Sequence, residues 1–284
     1  MKILITGTSG FIGSHVLEHA IIQNDNHQII STSRNMGGLI DTKNNYLHIP
    51  FTISDETLDQ NLFKLFGEPD LMIHLAWEGL PDYMGKVHTE RNLPLQFSFI
   101  RNLVSNGLKK VAVTGTCFEY GLQSGKLNEE LNPQPVTEYG KAKNLLRIKL
   151  QDLTKEMKFD FVWLRLFYMY GEGQNKNSLF PMLDRKIAEG AKEIDLSGGE
   201  QLRDYLRVEK MAELIYKISV HPLSAGIYNC CSGNPVRLRS MIEEYVSSRQ
   251  NQEIKLNIGR YPYNDYEPLE FWGDNSKAEN LMRK

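Results

Sequence analysis

Short, almost wholly apolar runs alternate with longer amphipathic ones through the first half of the chain. Residues 2–6 (KILIT) read as a strand, and residues 11–23 carry helical periodicity. Further strands are predicted at 28–33, 46–49, 71–75, 110–114 and 159–166. Helices are predicted at 55–66, with Ser54 as N-cap, at 84–106, with a bend at Pro94, and at 138–157. Strands apolar on both faces, alternating with helices, predict a parallel sheet covered on each side: a doubly wound α/β fold of the Rossmann type. After about Tyr168 the elements shorten and Gly and Pro become more frequent. This texture predicts a smaller C-terminal α/β region that lends a helix and a strand back to the sheet. The expected division is residues 1–167, with about 204–222 returning to that first domain, and residues 168–203 and 223–284 for the second region. A short helix is expected at 274–284. No repeat or low-complexity tract is visible.

Composition narrows the possibilities. The 284 residues carry a formal net charge of -2, with 41% hydrophobic and 24% charged residues. Lys and Arg are scattered, so no nucleic-acid or membrane-surface partner is expected. No apolar stretch is long enough to cross a bilayer. The N-terminus enters a strand without a leader-like region, and the three cysteines, Cys117, Cys230 and Cys231, offer no plausible disulfide framework. A reducing, cytoplasmic setting is expected. No Cys/His spacing suits a metal.

The first strand ends in TGTSGFIG, with Gly7, Gly10 and Gly13 ahead of a helix. Such glycines permit a tight turn, close backbone approach to a pyrophosphate and close helix–sheet packing, while the helix N-terminus attracts phosphate. The spacing is G-x-x-G-x-x-G rather than G-x-G-x-x-G; a ligand-free glycine turn is the alternative. Ser33 and Arg34 close the second strand, where an NAD site often has Asp or Glu. A hydroxyl and a guanidinium suit a 2′-phosphate, which favours NADP(H), with NAD(H) possible. Alternatively, Arg34 is a solvated loop residue.

Tyr139 and Lys143 lie four apart near the start of a predicted helix, so they share one face. They are either an ordinary surface pair or a proton donor and the cation that tunes it. Thr116, just past the fifth strand, adds a hydroxyl at the carboxyl edge of a parallel sheet, where ligands bind.

The motifs TGTSGFIG (6–13), HLAW (74–77), ERN (90–92), TGTCFEYG (114–121), YGKAK (139–143), LRLFYMYGEGQ (164–174) and RDYLRVEKMA (203–212) fall in the order of the extended short-chain dehydrogenase/reductases. The chain resembles their nucleotide-sugar epimerase/dehydratase/reductase branch from Lys2 to about Lys277. The resemblance implies a catalytic triad of Thr116, Tyr139 and Lys143. Tyr139 is the implied general acid/base, and Lys143 holds the cofactor ribose and lowers the phenol pKa. Thr116 is the implied partner of the reacting oxygen. It adds Phe11, Ile12, Leu75 and Ala76 to the cofactor contacts, and makes Asn92 structural. Phe51 stands near the usual adenine-binding Asp, and Tyr168 where Asn is usual.

Dehydratases of this branch carry Asp-Glu directly after the catalytic Thr. Here Cys117 and Phe118 stand there, so dehydration is not expected, and Cys117 reads as a packed thiol. The implied activity is NADPH-dependent reduction of the 4-keto group of a nucleotide-linked, dTDP-linked for choice, 4-keto-6-deoxyhexose. The alternatives are an NAD-dependent 4-epimerase and a non-catalytic NAD(P) sensor. Implied substrate contacts are Asn177, Phe180, Arg203 and Arg260, with Arg203 on a pyrophosphate or, alternatively, paired internally with Asp204. Trp77 and Glu78 face the sugar, or Trp77 simply packs. The helices at 84–106 and 138–157 carry apolar residues beyond one core face. The family pairs such helices into a four-helix homodimer interface.

Overall fold

A computed structural model describes residues 1–23, 25–34, 45–249 and 254–283. Seven strands form one sheet: β1 (Lys2–Thr6), β2 (Gln28–Ser33), β3 (Tyr46–Pro50), β4 (Leu71–His74), β5 (Lys110–Thr116), β6 (Asp160–Leu166) and β7 (Gly226–Cys230). Their spatial order is β7-β6-β5-β4-β1-β2-β3, and every pairing is parallel. The order reverses between β1 and β4, and a crevice opens at that switch point beyond the carboxyl ends. The doubly wound α/β fold expected from the sequence is the fold observed.

Side-chain alternation builds the two layers. Ile3 and Ile5 of β1 enter one core with α1 (Phe11–Gln23) and α5 (Val208–Val220). Leu4 between them enters the other core, with α2 (Leu93–Ser105) and α3 (Glu138–Glu156). A third cluster belongs to the C-terminal region. There α4 (Leu179–Ala188) and α6 (Leu238–Ser247) pack on the parallel pair Glu193–Ser197 and Lys255–Tyr261. The strand lent back to the main sheet is Gly226–Cys230, which lies in a segment expected to belong to the second region. The terminal helix α7 (Ser276–Met282) also returns, through Ala278 and Leu281. Lys284 lies outside the described residues.

Two expected helices are redrawn. Residues 55–66 form a 3-10 turn, Asp55–Thr57, and a one-turn helix, Leu62–Leu65. Asn102 of α2 fills the break: its amide donates to the Leu58 and Gln60 carbonyls and accepts from Leu62 N–H at 3.1 Å. Residues 84–106 are not one helix. A π-turn, His88–Asn92, leads into α2. Pro94 sits in the first turn of α2 rather than at a mid-helix bend. Without an N–H it cannot bond back to the Glu90 carbonyl, and a helix tolerates that at its start.

Strand β5 runs two residues further than expected, to Thr116. This carries the Thr116 hydroxyl to the carboxyl edge of the sheet. A 3-10 turn, Cys117–Tyr120, follows at once. Among the described residues no helix is long and apolar enough to cross a membrane, and no group of three metal-ligating side chains forms.

Candidate active site

The glycine loop requires its glycines. Gly7 has φ +74°, and a Cβ there would lie 2.8 Å from the Ala76 nitrogen. A Cβ on Gly13 would lie 2.1 Å from the Gly7 carbonyl oxygen. Helix α1 therefore begins at Phe11 hard against β1, and its first turn, with Phe11 and Ile12, holds no acidic side chain. A first helical turn free of carboxylates leaves its N–H groups and positive end to an anion. The cavity above it is lined by Gly7, Gly10, Ser33, Leu75 and Ala76, with Phe51 and Ile53 at an apolar end. This cradle fits a dinucleotide: pyrophosphate at the helix start, adenine among apolar side chains.

One hydroxyl ties the switch point together. Thr6 Oγ1 accepts from the N–H groups of Leu75 and Ala76 and lies 2.9 Å from His74 Nδ1. With two donors already on its oxygen, Thr6 donates to Nδ1, which leaves the ring proton on Nε2. Burial pushes His74 down to about 3, so the imidazole is neutral.

At the ribose end, Arg34 is exposed and meets Glu78, with Nη1 2.7 Å from Oε1; Arg91 lies 4.0 Å from the other carboxylate oxygen. Glu78 lines the same cavity as Gly7 and Ser33. Glu78, expected against the sugar, thus lies on the same cavity as the glycine loop. Trp77 also lines this cavity. Its Nε1–H donates to His88 Nδ1 at 3.0 Å, and its ring lies under Lys143 with Nζ 3.9 Å from the centroid. Asn92 donates to the Glu78 carbonyl at 2.9 Å, a structural bond within this turn.

Thr116, Tyr139 and Lys143 come together, all three buried. The α3 N-terminus is fixed by Thr137, whose hydroxyl accepts from Gly140 N–H. A Cβ on Gly140 would lie 2.6 Å from the Phe118 carbonyl, so glycine lets the helix start against the Thr116 turn. The Thr116 side chain lies beside the Tyr139 phenol and favours its ionised form. Lys143 Nζ donates to the Thr114 carbonyl at 2.9 Å. Around Tyr139 stand Trp77, Tyr83, His88 and Phe118, with ring centroids 5.3–6.4 Å away; Tyr266 touches Tyr83 and Phe118.

Burial sets the protonation balance of the cluster. Burial pushes the Tyr139 phenol above its ordinary value, reinforced by Tyr83, Cys117 and Glu119, while the Thr116 hydrogen bond works the other way. Burial also lowers Lys143 to about 7, against the raising effect of Glu119. The Lys143 amine rests on Thr114 and Trp77, with Nζ 5.9 Å from the Tyr139 ring centre. Tyr139 is thus held as a neutral acid, the form that can give a proton to a developing alkoxide. Burial likewise raises the Cys117 thiol, which packs near Tyr120 and Phe167.

The implied substrate residues fall into two groups. Asn177 and Arg260 are exposed, outside the cluster around Tyr139. Phe180 is a core residue, 4.7 Å from the Tyr245 ring and 4.9 Å from the Tyr170 ring, which corrects its reading as a side-chain contact. Arg203 is buried and does not pair with Asp204. It donates to the Leu202, Pro268 and Leu269 carbonyls and meets Glu267 at 3.0 Å. Asp204 instead accepts from Ser232 and Gly233 N–H. Tyr83, His88, Glu119 and Tyr266 were not singled out from the sequence. Glu119 belongs to the TGTCFEYG stretch, whereas Tyr83 and Tyr266 reach the site only through the fold.

The Lys143 balance gives a signed prediction. In the unfolded chain the amine keeps its proton to about pH 10.5; in the folded chain it loses it near 7. Between those values the unfolded state binds more protons, so this residue's contribution to folding stability rises with pH. The stability of the native protein relative to Lys143→Met is expected to increase from pH 7 to pH 10 in thermal unfolding. A difference independent of pH would contradict the buried position of this amine.

Residues 3–231 match the model of the NAD dependent epimerase/dehydratase family. The chain is 28% identical over 282 residues to a dTDP-6-deoxy-L-talose 4-dehydrogenase (NAD(+)) of Aggregatibacter actinomycetemcomitans, covering 96% of this chain and 99% of the relative. It is 25% identical to a dTDP-4-dehydro-6-deoxyglucose reductase of Escherichia coli, covering 90% and 82%. Its fold is that of a UDP-N-acetylglucosamine 4-epimerase from Methanobrevibacter ruminantium, solved with UDP-N-acetylmuramic acid (TM-score 0.83, 22% identity, 100% and 92% covered). A cradle built for a dinucleotide, a Thr/Tyr/Lys cluster at its mouth and a family match across most of the chain agree: the protein belongs to the NAD dependent epimerase/dehydratase family.

Proposed function

We propose that the protein reduces the C4 ketone of a nucleotide-linked 4-keto-6-deoxyhexose, dTDP-linked, with NADPH as reductant. The observation that carries this reading is the Thr116–Tyr139–Lys143 cluster, with Tyr139 neutral, flanked by Cys117 and Phe118 where dehydration would need carboxylates. The reduced nicotinamide, when bound, supplies a hydride to sugar C4. Tyr139 gives its hydroxyl proton to the nascent O4, and Thr116 hydrogen-bonds that oxygen. Lys143 holds the cofactor ribose once it turns from Thr114 and Trp77. The aromatic surroundings of Tyr139, with Tyr83, Phe118 and Tyr266, suit a deoxy sugar with its methyl group better than a charged one. Two relatives named for redox chemistry on dTDP-linked 6-deoxyhexoses support the same class. The diphosphate we assign to the second region, near Asn177 and Arg260. Arg203 helps by holding the 267–269 segment.

Glu78 favours a second reading. A carboxylate at the ribose end suits a 2′-hydroxyl, hence NAD, and a 4-epimerase that keeps NAD bound. The two readings separate at 340 nm. NADPH oxidation with dTDP-4-keto-6-deoxyglucose supports the reductase. No oxidation with dTDP-, GDP- or CDP-linked ketosugars, together with NAD released on denaturation, would overturn it. Tyr139→Phe is expected to lower kcat at least about 100-fold with NADPH binding retained.

Cofactor choice turns on the Arg34–Glu78 pair. Arg34→Ala is expected to raise KM for NADPH more than for NADH, and Glu78→Gln to lower KM for NADPH by freeing the guanidinium. Equal effects on both cofactors would remove Arg34 as the selector.

We also propose that α2 and α3 pair with a second copy. Leu145 and Ile148 of α3 are 43% and 39% exposed. Light scattering should give a dimer mass that Leu145→Glu reduces to a monomer; a native monomer would rule this out.

A further inference from the structure

Two arginines and a lysine are buried behind the Thr116 turn, and one carboxylate faces the two arginines. Lys143 and Arg147 are one helical turn apart on α3, and Arg165 comes from β6; they are 2%, 8% and 0% exposed. Glu119, in the turn after Thr116, is fully buried. Its Oε1 accepts the Thr116 N–H at 2.9 Å. Both its oxygens take the Trp163 Nε1–H, at 2.9 and 3.1 Å. Its Oε2 lies 2.9 Å from Arg165 Nε and 3.8 Å from Arg147 Nε. The Arg165 guanidinium is stacked on Tyr120, 4.5 Å from the ring centre. The backbone is shaped to this side chain: a Cβ on Gly115 would lie 2.4 Å from Glu119 Oε1 and 2.2 Å from Trp163 Nε1.

We propose that Glu119 is a positioning residue for the reduction: it clamps the Thr116 turn through the Thr116 N–H and supplies the negative charge among the buried cations of α3 and β6. The proposal rests on the reductase reading for its catalytic part. Thr116 is bound at both ends of its local geometry. Glu119 holds its nitrogen, while its hydroxyl accepts from Phe118 N–H and meets Tyr139. A hydroxyl that must bond one substrate oxygen works only within a narrow range of positions, and misplacement by about 1 Å can cost on the order of 100-fold in rate.

The second part is electrostatic. The groups facing Glu119 are Thr116 N–H, Trp163, Arg165 and Arg147; Lys143 and Tyr139 feel its charge from the α3 side. Lys143 itself also faces His74, Trp77 and the Thr114 carbonyl, and Tyr139 faces Tyr83, Cys117 and Thr116. The Glu119 charge raises both Lys143 and Tyr139. Removing it lets Lys143 lose its proton at lower pH, so a function that needs the ammonium is lost at lower pH.

The test compares native protein with Glu119→Gln, which keeps the shape and the acceptor for Thr116 N–H but not the charge. Circular dichroism establishes that the variant is folded. NADPH affinity by fluorescence and kcat/KM by 340 nm absorbance are then followed from pH 6 to 10. The high-pH loss of both should move down by about one unit or more. A folded Glu119→Gln with the native pH profile for binding overturns the proposal. If the native protein reduces no ketosugar but its binding profile shifts as described, the assigned reaction fails while the Glu119–Lys143 coupling stands. If Glu119→Gln does not fold, Glu119→Asp carries the test. It keeps the charge but draws it back from Thr116, so kcat should fall about tenfold with the pH midpoint retained. A native kcat in Glu119→Asp overturns the proposal.

Discussion

The buried carboxylate of Glu119 is the constraint on which the catalytic end of the sheet depends. It joins β5, through Thr116, to β6, through Trp163 and Arg165, and to α3, through Arg147. Placing one carboxylate and two guanidinium groups out of water is costly, and their attraction offsets that cost only with good geometry and further hydrogen bonds. Most of those bonds are present: Trp163 serves both oxygens, and Arg147 is bonded to Gln151 and Asn144, while Arg147 Nε and Arg165 Nη1 are left without a hydrogen-bond partner. An assembly of this kind tolerates little displacement of its parts. It therefore fixes where β5 ends, how the 3-10 turn leaves it and how closely α3 approaches.

The rest of the site follows from that frame and from the switch point. Thr6 and His74 hold the loop after β4 beside Gly7, so Leu75, Ala76 and Trp77 form one wall of the cleft. Trp77 then connects the cofactor wall to the triad, under Lys143 and edge-on to Tyr139. Dry surroundings push both titratable members of the triad toward neutrality, Tyr139 upward and Lys143 downward. A neutral phenol beside a threonine hydroxyl is arranged to donate. That is what reduction of a ketone requires.

Much of this was legible in the chain because it depends on local spacing. Apolar strands, the three glycines and the four-residue interval between Tyr139 and Lys143 each carry their own geometry. What the sequence concealed depends on partners distant along the chain. The helical pattern at 55–66 is interrupted because Asn102, on another helix, takes up the backbone groups at the break. Glu78 sits next to Trp77 in sequence yet turns to Arg34, with Arg91 close by. Arg203 has the look of a pyrophosphate ligand, but three carbonyls and Glu267 occupy it. The wall formed by Tyr83, Phe118 and Tyr266 has no signature in spacing at all, being drawn from three separate segments.

The central claim is that hydride enters the sugar at C4 while Tyr139 supplies the proton. The most direct measurement is transfer of label from NADPH deuterated at nicotinamide C4, using both stereoisomers, to dTDP-4-keto-6-deoxyglucose. Mass spectrometry and proton NMR of the product locate the deuterium. The account predicts one deuterium at sugar C4 from one of the two isomers, with one NADPH consumed per product. Interconversion of 4-epimers with no deuterium incorporated and no net cofactor consumed would contradict it.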